Sequence, residues 1–245
     1  FYKDSTKIAL LGLDDKDQQD VSLMIALRDT AKENKRYKKW KDQFDKIQKK
    51  EIKTKKDSIA LRKKFKEKVL WDKNEIDFGQ FHAALNWSSN GKKLAYSKYH
   101  HDKNQSMVYD IKYYDTEKEK HEWLTQAKRA SYPAWLDSNT ILFVAHRNSV
   151  SNIYSTNIID KQSVPITNFV ESTQIVDLSL SPNNQQILFS MSPKNGNLDL
   201  YIFDIKTKNI KRLTTDQMAD THPVWHPDGT AISYTSNSSG VPNIN

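Results

Sequence analysis

The sequence predicts a mainly β fold made of repeated four-stranded sheets and preceded by an α-helical region. Three observations predict it: a motif that recurs about every 45 residues, a turn signal inside each copy, and alternating apolar residues after each turn. A fixed period of this length indicates a repeat architecture. The chain has 245 residues and 37% hydrophobic residues, which is enough for a real core.

Four copies of the motif align on the anchors Trp87, Trp135, Leu180 and Trp225, which are 48, 45 and 45 residues apart. The anchor closes a first strand, and in the fourth copy the sequence Pro-Asp-Gly then turns the chain. Proline fixes φ near the value that a turn needs, and Asp or Asn before Gly tolerates a positive φ. A second strand follows in each copy, with apolar residues two apart on one face: Leu94 and Tyr96, Ile141 and Phe143, Ile187 and Phe189, Ile232 and Tyr234.

A third and a fourth strand complete each copy except the last. The predicted third strands are Met107–Tyr114, Asn152–Tyr154, Asp199–Phe203 and Asn243–Asn245, and the outer strands are Trp123–Thr125, Val164–Thr167 and Ile210–Thr214. Four strands per repeat of this length define a β-propeller blade. We therefore predict about three complete blades plus the start of a fourth in residues 79–245, with blade motifs at 81–125, 132–167, 175–214 and 222–245.

The repeat resembles that of TolB-type propellers, a WD-related family, most clearly in the stretch from His222 to Ile244. The resemblance covers about 165 residues, although copies two and three lack the Asp-Gly pair and copy three lacks the tryptophan. It implies a bacterial periplasmic or cell-envelope setting. Because a propeller closes with about four to eight blades, we expect the sequence to be part of a longer chain.

Residues 1–78 form a basic region that we predict to be helical; whether it belongs to the propeller or is the end of a preceding domain stays open. No proline or glycine occurs from Asp14 to Trp71. Apolar residues three or four apart define two helical stripes, Tyr37-Trp40-Phe44-Ile47 and Leu61-Phe65-Val69, and Thr54 or Ser58 is a candidate cap between them. We therefore predict two or three helices; the short apolar run Ile8–Leu11 fits either a strand or a helix.

The net charge of +8 is concentrated in this region, because residues 1–80 carry 22 Lys and Arg against 15 Asp and Glu. Nucleic acid or anionic lipid would be attracted to such a surface. Acidic residues interrupt the basic run, however, and no nucleic-acid-binding module accompanies it, so we interpret it as a solvated face and expect no nucleic-acid partner. The aromatic stripe is interpreted as a packing surface against the neighbouring domain rather than as a ligand cage.

No catalytic motif is present in the sequence. Nucleophile elbows, His-Glu-x-x-His and phosphate-binding glycine loops are absent, and there are no cysteines, so the redox compartment is undecided. His100, His101 and Asp102 are the densest polar cluster, but adjacent histidines rarely face one ion, and we interpret them as a polar loop. We predict no catalytic residue, no metal and no cofactor.

Propeller loops between blades, and between second and third strands, are the predicted partner-binding surface because rigid blades hold variable loops together. These loops are 98–106, 126–131, 146–151, 168–174, 191–197, 215–221 and 236–241. The candidate partner-binding residues are His100, His101, Asp102, Arg129, His146, Arg147 and Asp220. Asn152, Asp199 and Asn243 recur at the start of third strands and are interpreted as fixing the loops of their own blades.

Three hypotheses of function follow, of which the third is nucleic-acid or lipid binding through the basic helices. The leading hypothesis is a non-catalytic protein-binding or scaffold module of a bacterial envelope protein. The alternative is a substrate-gating propeller of a larger peptidase of the prolyl oligopeptidase, dipeptidyl peptidase or tricorn type, which resembles this repeat; an attached hydrolase domain would distinguish the two. No apolar run is long enough to span a membrane, peripheral envelope association stays open, and the oligomeric state is not predicted.

Overall fold

The computed structural model describes residues 6–13, 21–50, 54–66, 68–78, 84–194 and 196–245. The chain divides into two compact units, Phe1–Phe78 and Gly79–Asn245. The first residues of the predicted motif 81–125, and Asn195 in the predicted loop 191–197, lie outside the described residues.

The N-terminal unit combines a three-stranded antiparallel sheet with two helices. Its strands are β1 (Lys7–Leu13), β2 (Val21–Arg28) and β3 (Trp71–Phe78), hydrogen-bonded in that order, and α1 (Thr30–Gln48) and α2 (Lys55–Arg62) lie between β2 and β3 in the chain. The prediction of helix before residue 30 is therefore wrong at β2. An apolar run such as Val21–Leu27 fits both periods, and pairing with β1 and β3 makes it a central strand with Leu23 and Ile25 buried.

The two helices begin at side-chain caps. The Asp29 carboxylate accepts a hydrogen bond from Lys32 N at 2.8 Å, and Thr54 and Asp57 form a reciprocal capping box. The predicted cap at Thr54 is thus confirmed. The second predicted stripe is not helical throughout, because α2 ends at Arg62 and Phe65 lies beyond it.

The second unit consists of four antiparallel sheets, which confirms a mainly β propeller fold. Three sheets have four strands and the last has three, each in the order of the chain. The strands are β4 (Leu85–Trp87), β5 (Lys93–His101), β6 (Met107–Asp115) and β7 (Lys120–Trp123) in blade 1; β8 (Ala130–Trp135), β9 (Thr140–Arg147), β10 (Val150–Asn157) and β11 (Ser163–Pro165) in blade 2; β12 (Gln174–Leu180), β13 (Gln186–Ser192), β14 (Asp199–Asp204) and β15 (Ile210–Arg212) in blade 3; and β16 (Asp220–Trp225), β17 (Ile232–Ser236) and β18 (Asn243–Ile244) in blade 4.

Apolar residues of neighbouring blades form the core. One cluster joins blade 1 to blade 2 and includes Ile111, Tyr113, Trp135 and Phe143. A second cluster joins blade 2 to blade 3. The anchor Trp135 packs edge-on against Tyr113 of blade 1, with 6.2 Å between ring centroids, and its indole N–H donates to Asn86 O at 3.1 Å. The anchor tryptophan of blade 2 thus packs against the preceding blade.

The inner strands carry a bulge at one repeated position. Register shifts fall in β8, β12 and β16, where Tyr132, Asp177 and His222 have φ of 54°, 63° and 52°. The backbone N–H of Tyr132 donates to Ser97 Oγ at 3.2 Å, and that of His222 donates to Asp177 Oδ2 at 3.0 Å. In both cases the backbone of a bulge residue is hydrogen-bonded to the preceding blade. Residues of the inner strands, the bulge residues among them, line a cavity of about 210 Å³.

Candidate functional site: a basic cleft between blades 1 and 2

Six of the seven candidate residues gather around one segment, Gln126–Arg129, which connects blade 1 to blade 2. On one side of it lies a cavity of about 420 Å³ lined by His100, His101, Asp102 and Trp123. On the other side lies a cavity of about 570 Å³, here called the basic cleft, whose lining includes the cations Lys128, Arg129 and Arg147 and the imidazole of His146. Gln126 and Ala127 line both cavities. Sequence positions that are nearly 50 residues apart thus meet on one face.

His100 is held from both sides. Its Nε2 lies 2.8 Å from Asp110 Oδ2, and its ring lies against that of Trp123 with 4.4 Å between centroids. It is half-buried on β5, inside the predicted loop 98–106, since β5 continues to His101. His100 therefore forms a fixed wall of its cavity.

His101 and Asp102 shape the turn between β5 and β6. Asp102 Oδ1 accepts hydrogen bonds from the backbone N–H groups of Asn104 and Ser106, at 2.8 and 2.9 Å. His101 Nδ1 lies 3.2 Å from Gln105 O. The carboxylate of Asp102 is engaged in its own turn, as is usual for Asp at such positions.

Asp110 is the residue that positions the segment Gln126–Arg129. It is completely buried, and its carboxylate accepts hydrogen bonds from Thr125 Oγ1 at 2.7 Å, Ala127 N at 2.7 Å and Lys128 N at 3.0 Å. The hydroxyl of Thr125 in turn accepts from Ile111 N at 2.8 Å. Buried polar groups that are fully paired in this way fix a single backbone path.

The same arrangement recurs in blade 2, which supports the interpretation of Asn152 as a loop-fixing residue. Asn152 Oδ1 accepts from Thr167 Oγ1 at 2.9 Å and from Phe169 N at 2.6 Å. In each case the threonine follows the acceptor by 15 residues. Sequence analysis did not select Asp110, although this spacing from Asp110 to Thr125 is the signal that identifies it.

In blade 3 the equivalent acceptor, Asp199, accepts its side-chain hydrogen bond from an arginine instead of a threonine. Asp199 is buried, and Arg212 Nη2 donates to its Oδ2 at 2.6 Å. Burial raises the pKa of the Asp199 carboxyl, and the positive charge of Arg212 opposes that effect. Its Oδ1 has no hydrogen-bond partner among the described residues. Asn243, the fourth recurring residue, is exposed at the start of β18.

The hairpin that joins β9 to β10 forms the far wall of the basic cleft. Asn148 and Ser149 both adopt positive φ, 51° and 63°, which is the geometry of a two-residue hairpin turn that follows strand twist. His146 lies beside it, with Nδ1 3.1 Å from Ser151 Oγ. The turn places Arg147 at the rim, opposite Val150 in the ladder.

The cations of the basic cleft have no neutralising partner in the described part of the chain. Lys128, Arg129 and Arg147 are exposed, and no ion pair or side-chain hydrogen bond is formed by any of the three with the residues that the structure describes. No carboxylate lines the cleft. The surface therefore presents positive charge and hydrogen-bond donors to an incoming group.

Asp220, the seventh candidate, is not part of this surface. Its side chain is completely buried at the start of β16, and neither carboxylate oxygen has a hydrogen-bond partner among the described residues. It was selected because it lies in the predicted loop 215–221. In the structure β16 already begins at Asp220. Elsewhere in the described part of the chain, no three His, Asp or Glu side chains come close enough to hold a metal ion.

The repeat, the propeller sheets and the interblade packing define a β-propeller protein, and comparison with known families gives its relatives. The sequence matches the family described as TolB beta propeller domain over residues 104–245. The chain belongs to this family.

Solved structures support the fold. TolB from Acinetobacter baumannii is similar with a TM-score of 0.64 and 18% identity; the match covers 98% of this chain and 50% of that one. The β-propeller domain of the Trilobed protease from Pyrococcus furiosus has a TM-score of 0.57 at 13% identity, covering 100% and 64%. A puromycin-hydrolyzing peptidase of Mycobacterium tuberculosis has a TM-score of 0.55 at 14% identity, covering 70% and 28%. The chain thus spans half the length of the A. baumannii TolB.

Proposed function

We propose that this chain is a non-catalytic protein-binding module of the bacterial envelope, and that the basic cleft and the neighbouring His100 cavity bind an acidic segment of a protein partner. The observation that carries the proposal is the gathering of Lys128, Arg129 and Arg147, without neutralising carboxylates, on a backbone fixed by Asp110. Unpaired arginines on a rigid surface recognise carboxylates with two hydrogen bonds each.

The surroundings of the cleft suit protein binding. Trp123 and His100 offer an aromatic wall next to the cations, and aromatic residues with arginine are enriched at protein interfaces. A loop whose backbone is already ordered before binding loses little conformational entropy on binding. The envelope setting rests on the TolB relationship. Separately, the helices of the described residues include none with the length and apolar character of a membrane span.

The test is a charge reversal with a matched control. Arg129→Glu/Arg147→Glu changes the cleft, whereas Lys206→Glu/Lys211→Glu changes the charge equally at exposed positions away from it. Partners of the native polypeptide are identified by cross-linking in the intact cell, and the affinity for each is then measured with purified proteins. We expect the cleft variant to bind about a hundredfold more weakly and the control to bind within about twofold of the wild type. Equal affinity for both variants would refute the proposal.

The second candidate function is a substrate-gating propeller of a larger peptidase. The similarity to the propeller of the Trilobed protease and to the M. tuberculosis peptidase favours it. Peptidase activity in the native polypeptide, lost on mutation of a serine outside residues 1–245, would establish this reading. Absence of any hydrolase domain in the native polypeptide would exclude it.

A further inference from the structure

The N-terminal unit contains an aromatic groove that neither the propeller repeat nor the proposed function uses. It has a volume of about 600 Å³ and lies between α1 and the segment Ala60–Lys66. Its apolar lining residues are Trp40, Phe44, Ile47, Ala60 and Phe65, and its lining also includes three exposed lysines, Lys63, Lys64 and Lys66. We call these residues the lysine-rimmed groove.

The apolar lining is an organised surface. Trp40 stacks on Phe44 with 5.3 Å between ring centroids, and Phe65 packs against Trp40 at 5.5 Å and against Tyr37 at 5.3 Å. Phe65 reaches these rings because α2 ends at Arg62 and the following chain returns along α1. Yet α1 has no buried residue in 19 positions, and Tyr37 is 47% exposed. A helix that presents four apolar positions on one face has a surface suited to a partner.

The charge around the groove indicates the chemistry of that partner. Residues 28–68 contain 18 Lys and Arg against 7 Asp and Glu, a net charge of +11. Three of those acids already pair locally: Asp29 with Lys32, Glu33 with Arg28 and Asp57 with Lys50. The positive charge that remains is therefore complementary to an acidic partner.

The shape of the groove favours an acidic peptide over the two other polyanions, anionic lipid and nucleic acid. The rings of Trp40, Phe44 and Phe65 are half-buried and pack against one another between α1 and the segment Ala60–Lys66, whereas a membrane-binding amphipathic helix lays a freely exposed apolar face into the bilayer. They are also not splayed as separate platforms on which bases stack. A recessed apolar floor with a cationic rim matches the binding of an amphipathic helix in a groove.

We propose that the lysine-rimmed groove binds an acidic amphipathic helix of a partner protein. Tyr37 and Ile47 are ten residues apart on α1, which corresponds to about 15 Å along a helix axis. The bound helix would place apolar anchors at i, i+3, i+4 and i+7 on the aromatic floor and glutamates beside Lys63, Lys64 and Lys66. This site is independent of the basic cleft.

The test uses the whole chain and a defined probe. The probe is a fluorescein-labelled 15-residue peptide with Leu at four positions of that spacing and Glu or Ala elsewhere; a second peptide replaces each Leu by Ser at unchanged charge. Fluorescence anisotropy should show saturable binding of the first peptide and at least about tenfold weaker binding of the second. Equal binding of both peptides would overturn the proposal, because charge alone would then explain the interaction.

Two charge variants locate the site. Lys63→Glu/Lys64→Glu/Lys66→Glu reverses the rim, and Lys49→Glu/Lys55→Glu/Lys56→Glu makes the same change in net charge at exposed residues that do not line the groove. We expect the rim variant to lose at least about tenfold in affinity and the control to stay within about twofold to threefold. Equal losses in both variants would overturn the proposal. Circular dichroism of both variants shows that the fold is retained.

The remaining polyanions are tested with the same variants. Vesicles of phosphatidylglycerol and phosphatidylcholine and a 15-nucleotide single-stranded RNA replace the peptide. Saturable binding of either one with the rim-specific loss, while the leucine peptide does not bind, overturns the proposal in favour of that ligand. Failure here leaves the basic cleft unaffected, because the Arg129 and Arg147 variants test that surface separately.

Discussion

At the scale of single residues, the buried carboxylate of Asp110 determines the shape of the candidate site. It does not face solvent, yet it holds the backbone of Ala127 and Lys128 and orients His100. Thr125 completes the arrangement as both donor and acceptor. The residue that fixes the backbone of this segment is thus different from the residues that line the two cavities.

Replacing Thr125 by Val keeps the side-chain shape and removes both hydrogen bonds of its hydroxyl. The backbone N–H of Ile111 and one oxygen of Asp110 then lose a partner in a buried place. We expect the free energy of unfolding to fall by about 2 to 4 kcal/mol, measured by urea denaturation. Thr116→Val is the control, since its hydroxyl donates to Lys92 O in an exposed turn and its loss should cost less than about 1 kcal/mol. Equal losses would show that the Thr125 network contributes nothing special.

Asp57 predicts a pH dependence at the start of α2. Hydrogen bonds from Lys50 and from Thr54 lower its pKa to about 2 from 3.8. Because the folded pKa lies below the unfolded one, this stabilisation is fully present above about pH 4 and is lost as the pH falls through 2. The amide chemical shift of Thr54 should titrate with a midpoint near 2 in the wild type and should not titrate in that range in Asp57→Asn. A midpoint near 3.8 would contradict the capping box.

At the scale of elements, turns explain where strands end. The β9–β10 hairpin places Asn148 and Ser149 in the left-handed region, where glycine is preferred at the second position. Ser149 therefore carries conformational strain in a turn that positions Arg147.

Ser149→Gly should relieve that strain. We expect a gain of about 0.5 to 1 kcal/mol in unfolding free energy. Ser131→Gly, within β8, is the control, and there glycine should cost about 0.5 to 1 kcal/mol. Thermal denaturation of both variants measures the difference in sign; a loss in Ser149→Gly would show that its hydroxyl or Cβ has a role that outweighs φ.

The propeller strands could be predicted from the sequence because their signals are local. In the first and fourth copies a tryptophan, a turn pair ending in glycine and two apolar residues two apart lie within 11 residues, so these copies specify a hairpin without distant contacts. The strand β2 could not be predicted, because a short apolar run is compatible with either period until its neighbours are known. The end of α2 was missed for a related reason: Phe65 continues the helical spacing but packs on Tyr37 and Trp40 from an extended segment.

The exposed residues of the candidate site could be predicted from the sequence. The buried residues that hold its backbone could not. Histidines and arginines in loops are visible in the sequence, and six of those selected do meet around Gln126–Arg129. The burial of Asp220 depends on where β16 begins, and the role of Asp110 depends on three hydrogen bonds from distant residues. Both are properties of tertiary structure.

At the scale of the whole molecule, the propeller is held together by clusters that each span two blades. Phe143 is completely buried in the cluster that joins blades 1 and 2. Phe143→Ala should lower the free energy of unfolding by about 3 to 5 kcal/mol. Ile159→Ala, at a position that is 77% exposed, should change it by less than about 0.5 kcal/mol. A small effect at Phe143 would mean that the blades do not share a core.

The hydrogen bonds of Asp110 have a consequence for exchange with solvent. The side chains of Ala127 and Lys128 are exposed, but their amide protons point at a buried carboxylate and should exchange with deuterium as slowly as those of a strand. The backbone path of this segment therefore depends on Asp110 rather than on the exposed side chains of Ala127 and Lys128. Substitutions of those side chains are expected to change the charge of the surface while the main chain keeps its path.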